Sequence, residues 1–271
     1  MNNSNNTKLT ANELNHYKEK GYLIPKLRIP EVLLNDMRTE YQALLDRNPS
    51  ITSDIMLGPH LENPGAQGVK GSRRFLEFAT QPELLDIAAQ LIGEDIILWG
   101  TTIFGKPAHC GKATPWHQDG DYYPIEPLET LTIWIPLDDV TMENGPMTFI
   151  PGSHKAHTTY SHHWEENENL VINQVCDAQH FDPATAEPLL LEAGQVSFHD
   201  VYMIHGSEPN TTNKRRAAFI VRLMPASSFY NHLRGQQMTA PHMAHDYGER
   251  PLFLIRGKDI SGQNNFTIGH K

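Results

Sequence analysis

From Ile96 to Leu223 the chain alternates short β-favouring runs with turn signals. Ile96-Ile97-Leu98-Trp99, Thr101-Thr102-Ile103-Phe104, the run Leu131 to Leu137, Met147-Thr148-Phe149-Ile150, Leu189-Leu190-Leu191, the run Gln195 to His199 and the run Arg216 to Leu223 are rich in branched and aromatic residues. Asn144-Gly145-Pro146 and Pro151-Gly152-Ser153-His154 punctuate them. This spacing predicts a closed or two-sheet β-structure.

Helices are expected before it. Thr10 and Glu13 have the spacing of a capping box, and the first helix should stop near Gly21. Tyr22-Leu23-Ile24-Pro25 reads as a short strand. Pro30 to about Asp46 reads as a second helix, with Val32, Leu33, Met37, Tyr41 and Leu44 on one face, and Gln81 to Gly93 as a third. The Pro-, Gly-, Asn- and Ser-rich stretch 48–71 is expected to be a wall or lid of a site. The polar stretch 155–188 is expected to be an exposed insertion.

With 271 residues the chain is expected to form a single domain over 1–271. Residues 1–9 would be a disordered lead-in, 10–93 helical support with the loop, 94–224 the β core and 225–271 a packing segment. A net charge of −10 disfavours nucleic acid or an anionic membrane as the main partner. The two cysteines, Cys110 and Cys176, have no metal or disulfide spacing, and no run reaches membrane-spanning length. A cytoplasmic location is the expectation, and a small molecule the expected partner.

The chemistry concentrates in Thr114-Pro115-Trp116-His117-Gln118-Asp119-Gly120. An imidazole and a carboxylate two residues apart on a strand point to one face. One further imidazole would complete the two-His-one-carboxylate set of non-haem Fe(II) oxygenases. His205, in Val201-Tyr202-Met203-Ile204-His205-Gly206-Ser207, could face the same interior from the end of an apolar strand. Such coordination leaves three open positions. A 2-oxo acid can chelate two of them, with dioxygen at the last, and its far carboxylate then needs a buried cation and a hydroxyl. Arg216, eleven residues after His205, offers a fork, and Ser207 a hydroxyl.

These blocks, together with Leu131 to Asp139, Glu143-Asn144-Gly145-Pro146 and Ile150 to Lys155, resemble the phytanoyl-CoA dioxygenase family. So do the opening helix-Gly-Tyr-Leu segment and the late Arg250-Pro251-Leu252 with Arg256-Gly257. The resemblance implies a mainly β chain with flanking helices, folded as a double-stranded β-helix (a jelly-roll, cupin-like barrel). It implies Fe(II) held by His117, Asp119 and His205, and 2-oxoglutarate held by Arg216 and Ser207, with Thr132 a further polar contact. Dioxygen would be the co-oxidant, with ascorbate a candidate reductant. Halogenating relatives have Ala or Gly at the carboxylate position, so Asp119 implies hydroxylation or another oxidation. The expected reaction oxidises an unactivated C–H of a small molecule while 2-oxoglutarate becomes succinate and CO2.

Each residue also has a plainer reading. A lone H-x-D is common on surfaces, His205 could be a satisfied core histidine, and Arg216 could be half of an ordinary ion pair. Trp116 and Trp134 read as core aromatics. Asp121, Tyr122 and Tyr123 could line a substrate pocket or cap a loop. His154, His157, His162 and His163 read as solvated, and His199 as barrel wall. A different class of function also fits the metal set: a cupin-like metal-dependent isomerase or hydrolase, or a non-catalytic binding barrel. Arg216 and Ser207 argue against it, because such a protein has no need of a buried carboxylate anchor.

Overall fold

The computed structural model describes residues 7–63, 68–239 and 245–270. Residues 1–6 of the expected lead-in, 64–67 of the long loop and 240–244 of the tail lie outside the described residues.

Helix α1 (Ala11–Lys20) begins at a capping box in which Thr10 and Glu13 satisfy each other's backbone N–H, and it stops at Gly21, φ 83°. Strand β1 (Tyr22–Leu23), α2 (Glu31–Arg47), β2 (Ile55–Leu57), α3 (Arg73–Ala79) and α4 (Pro82–Ile92) follow. α2 buries Leu34, Met37, Tyr41 and Leu44. Val32, expected on that face, is 85% exposed. The 3.6-residue period carried back from Leu44 through Met37 reaches Leu34, so Val32 falls on the solvent side.

The β region comprises β3 (Ile96–Lys106), β4 (Thr114–His117), β5 (Ile125–Glu126), β6 (Leu131–Pro136), β7 (Met147–Phe149), β8 (His162–Trp164) and β9 (Gln174–Cys176). It continues with β10 (Glu187–Pro188), β11 (Ser197–Asp200), β12 (His205–Ser207), β13 (Arg216–Pro225) and β14 (Phe229–Tyr230). Helix α5 (His232–Met238) and β15 (Phe253–Arg256) complete the chain. One sheet runs β1-β11-β6-β13-β3-β15, with β2 also on β3; a second runs β10-β7-β12-β4. β5 with β14, and β8 with β9, form two-stranded ribbons. The chain is therefore mainly antiparallel β-sheet with few helices.

The large sheet has two working faces. Leu131, Ile133 and Ile135 of β6 and Ala217, Phe219, Val221 and Leu223 of β13 pack with α2, α3 and α4 in one apolar core. Their alternates, Thr132 and Trp134 of β6 and Arg216, Ile220 and Arg222 of β13, face a chamber on the other side. The helices thus seal one face, at roughly 1.5–3 kcal/mol per large side chain buried, and leave the other for chemistry.

The runs Ile96–Trp99 and Thr101–Phe104 join in one strand, β3, because Gly100 keeps its ladder to Arg222. Two sequence expectations change. Leu189–Leu191 forms no strand, only a bridge from Leu191 to Val140. Val201–Ile204 is a turn, because Asp200 accepts the backbone N–H of Met203 on its carbonyl and that of Tyr202 on its carboxylate. His205 therefore opens a strand instead of ending one.

Gly21 sits where α1 meets the turns around His154 and Met203. A Cβ there would lie 2.2 Å from Met203 Sδ and 2.5 Å from His154 Nδ1. Gly21→Ala is expected to destabilise the protein by about 2–4 kcal/mol through positive φ and overpacking together. Urea denaturation should show it; a loss under about 0.5 kcal/mol would contradict this packing.

Candidate metal centre and cosubstrate pocket

His117 closes β4, and His205, its partner across the ladder, opens β12. Their rings lie 4.2 Å apart, centroid to centroid. Asp119 is not on the strand. It begins a short 3-10 turn (Asp119–Tyr122), and that turn swings its carboxylate back toward the imidazoles. The result is a buried cluster of His117, Asp119 and His205 whose donor atoms lie within 4.8 Å of one another.

The ring orientations suit a cation. Nδ1 of His117 donates to Pro115 O (2.9 Å) and Nδ1 of His205 to Met203 O (3.0 Å). With the proton committed there, each Nε2 keeps its lone pair. Burial pushes the His117 imidazole down to about 3, so it stays neutral. For Asp119, burial opposes charge, but the Arg222 guanidinium outweighs it and holds the carboxyl well below the usual carboxylate range. Two imidazole Nε2 atoms facing inward and one ionised carboxylate fit Fe(II), with open positions left over.

Thr132 Oγ1 donates to Asp119 Oδ2 (3.3 Å) and the Tyr122 hydroxyl to Oδ1 (3.4 Å), while Arg222 Nη2 stands 3.9 Å from Oδ1. Thr132 therefore meets the carboxylate, whereas its expected contact was the cosubstrate. His199 also lines the chamber, with Nε2 3.9 Å from Asp119 Oδ2 and no hydrogen-bond partner on either nitrogen.

Arg216 and Ser207 line the same chamber. Arg216 is 2% exposed and sits 5.5 Å above the Trp134 ring. Its Nη2 donates to Gly145 O and to Ser207 Oγ (3.3 Å), and its Nε has no partner. Among the described residues it forms no ion pair, since the nearby Asp138 is taken by Arg215 Nε (3.2 Å) and Ala217 N (3.0 Å). A buried guanidinium and hydroxyl without an anion fit the distal carboxylate of 2-oxoglutarate.

The stretch 155–188 is not a freely solvated insertion. Gln118 is fully buried and binds it: Nε2 donates to Thr158 O (3.0 Å), and Oε1 accepts from Tyr160 N (2.7 Å). His162 Nε2 accepts from Gln118 N (3.1 Å), and His154 is buried against Lys18 O. Val171 reaches the chamber wall. Trp134 and Tyr123 are buried, and Trp116 packs on Phe181.

Sequence reading missed Lys106 and Arg222. Both follow from the period-two alternation: Lys106 pairs with Arg216, and Arg222 shares Arg216's face of β13. Lys106 is buried, its ammonium donating to Lys112 O and Glu208 O (2.8 Å), and burial with Arg216 beside it lowers it to about 7. The unfolded chain keeps its Lys106 proton up to the ordinary lysine range, so between these limits it binds more protons. Stability at this group should rise with pH from about 7 upward. Relative to Lys106→Met, the native chain should gain on the order of 1–2 kcal/mol between pH 7 and 9 in urea titrations. A flat difference would mean that Lys106 titrates normally.

The sequence matches the family model for Phytanoyl-CoA dioxygenase (PhyH) over residues 17–218. Human peroxisomal phytanoyl-CoA dioxygenase is 24% identical over 247 residues, covering 85% of this chain and 72% of the relative. L-proline trans-4-hydroxylase of Streptomyces griseoviridis is 32% identical over 158 residues, covering 52% and 59%. Among solved structures, the apo non-heme monooxygenase ThoJ superposes with TM-score 0.66 at 25% identity, covering 91% of this chain and 84% of that one. The epimerase SnoN, in complex with Fe3+, alpha ketoglutarate and nogalamycin RO, does so with TM-score 0.66 at 21% identity, covering 87% and 91%. The chain belongs to the phytanoyl-CoA dioxygenase (PhyH) family of Fe(II)- and 2-oxoglutarate-dependent dioxygenases.

Proposed function

We propose that the protein hydroxylates an unactivated C–H bond of a small organic molecule, with His117, Asp119 and His205 as the iron ligands and Arg216 and Ser207 as the cosubstrate anchor. The observation that carries this is one chamber holding both a buried His-Asp-His cluster and an arginine with no ion pair among the described residues. A plain metal hydrolase would have no use for the second. We further infer that the two sheets face each other as a double-stranded β-helix, with this chamber between them.

Fe(II) and 2-oxoglutarate, held by these residues, would supply the oxidising chemistry with dioxygen as oxidant, one atom of dioxygen going to the substrate and the other to succinate, with CO2 released. The chain supplies position and dryness. The carbonyls of Pro115 and Met203 fix the two imidazoles, and Thr132 and Tyr122 orient the carboxylate. A cavity of about 620 Å³ shares Phe104, Val171 and Arg222 with the chamber and is the place for the prime substrate. Small-molecule relatives support this reading, among them enzymes named for L-proline and hypophosphite.

Asp119→Ala should abolish succinate formation and weaken Mn(II) binding by about 100-fold or more, because one charged ligand of three is lost. Unchanged Mn(II) affinity in calorimetry would remove Asp119 from the ligand set. Arg216→Gln should raise the Kd for 2-oxoglutarate by about 100-fold while leaving Mn(II) affinity close to native. Equal losses of both would assign Arg216 to the scaffold instead.

A further inference from the structure

The cavity beside the metal chamber has a cationic polar wall. Arg222 and Arg250 line it, and Glu166 is the one carboxylate among its described lining residues. Glu166 lies on the exposed segment between β8 and β9, and no ion pair joins it to either arginine. Arg222 is already engaged, donating from Nε to the Tyr123 hydroxyl (2.7 Å) and from Nη1 to Thr102 Oγ1 (2.6 Å). Arg250 is not. It is 4% exposed, its Nε has no partner, and it forms no ion pair among the described residues. Its guanidinium stands 6.0 Å from the Trp99 ring and 5.4 Å from that of Tyr247, and it lies within hydrogen-bond reach of the Tyr230 hydroxyl. Burying such a group is costly unless an anion meets it.

His245 stands beside it, 4.4 Å from the Tyr247 ring, with neither nitrogen hydrogen-bonded among the described residues. Burial, Arg250 and Arg222 push its imidazole down to about 3, so it is neutral and has one N–H to donate. The wall also carries the apolar faces of Trp99, Tyr122, Tyr123, Ile55 and Leu57, with Thr101, Thr102, Asn173 and Gln174 as neutral polar members.

Resting on the oxygenase reading above, we propose that the prime substrate is a small organic acid. Arg250, with an N–H from His245, holds its carboxylate or phosphonate head. Trp99, Tyr122 and Tyr123 pack its apolar body, which turns a C–H toward the boundary with the metal chamber at Phe104 and Val171. A head group bound this way is a different site from the Arg216 anchor, so substrate and cosubstrate acids do not compete.

The test is calorimetric titration of the full chain without dioxygen, under saturating Mn(II) and 2-oxoglutarate, so that Arg216 is occupied. The probes are 3-phenylpropionate, phenylphosphonate and the neutral 3-phenylpropionamide. At least one acid should bind about tenfold or more tightly than the amide, and Arg250→Gln should erase that preference while Mn(II) and 2-oxoglutarate affinities stay native. Should Arg250→Gln fail to fold, Arg250→Lys should retain a reduced preference for acid. Equal binding of acid and amide, binding of neither acid at millimolar concentration, or a preference that survives Arg250→Gln would each overturn the proposal. If the native chain fails to bind Mn(II) and 2-oxoglutarate, the oxygenase reading falls by itself, and the same probe comparison in Arg216→Gln still decides whether the cavity selects acids.

Discussion

Keeping the carboxylate of Asp119 ionised while almost wholly out of water is the constraint on which the rest of the structure turns. Desolvation alone would protonate it. Here the charge is met by the Arg222 guanidinium and by the Thr132 and Tyr122 hydroxyls. These groups and the imidazoles of His117, His199 and His205 come from β4, β6, β11, β12, β13 and the turn after β4, so the cluster exists only once both sheets are assembled. A bound divalent cation would share the same charge. The carboxylate is thus kept ionised and oriented by the chain itself, as a metal ligand would need to be.

The cationic end of the chamber obeys the opposite logic. Arg216 and Lys106 are register partners on β13 and β3, and two like charges side by side in a dry site repel. The lysine yields: burial and Arg216 lower it to about 7, and its nitrogen donates to two backbone carbonyls. Burial also lowers Arg216, to about 10, yet it remains charged at any ordinary pH. A guanidinium with a hydroxyl neighbour and, among the described residues, no carboxylate within ion-pair distance suits a dianion whose other end binds a metal.

Legibility in the sequence followed periodicity. The strand pattern from 96 to 223 made the β core readable, and capping residues made α1 readable, since both signals are local. His117, Asp119 and His205 were found by residue type and order, but their geometry was not: Asp119 leaves the strand for a 3-10 turn, and His205 starts a strand after a turn that Asp200 closes. Those features depend on tertiary partners that no window shows. Composition hid the role of 155–188. Its polar residues look solvated, yet the buried amide of Gln118 ties it over the centre. Arg222 was legible in principle, six residues beyond Arg216 on the same face of one strand, but only after that face is known to point inward.

The two arginines of the inner wall divide the molecule into a part that must stay fixed and a part that need not. The metal chamber is built from the inner faces of paired strands, where a shift in register would turn every side chain to the wrong side. The neighbouring cavity shares Phe104, Val171 and Arg222 with the chamber, and takes more of its wall from β3 and from the turn after Asp119. Another part comes from β2, the segment from β8 to β9, and the segment carrying His245, Tyr247 and Arg250. This last part holds none of the three candidate metal ligands. Substitution there can change what the cavity accepts without disturbing the His-Asp-His cluster, which is the physical reason one fold can serve substrates of different shape. In this chain the groups proposed to meet the acid head, His245 and Arg250, lie beyond β13, where strand periodicity has ended and pattern reading has least to work with.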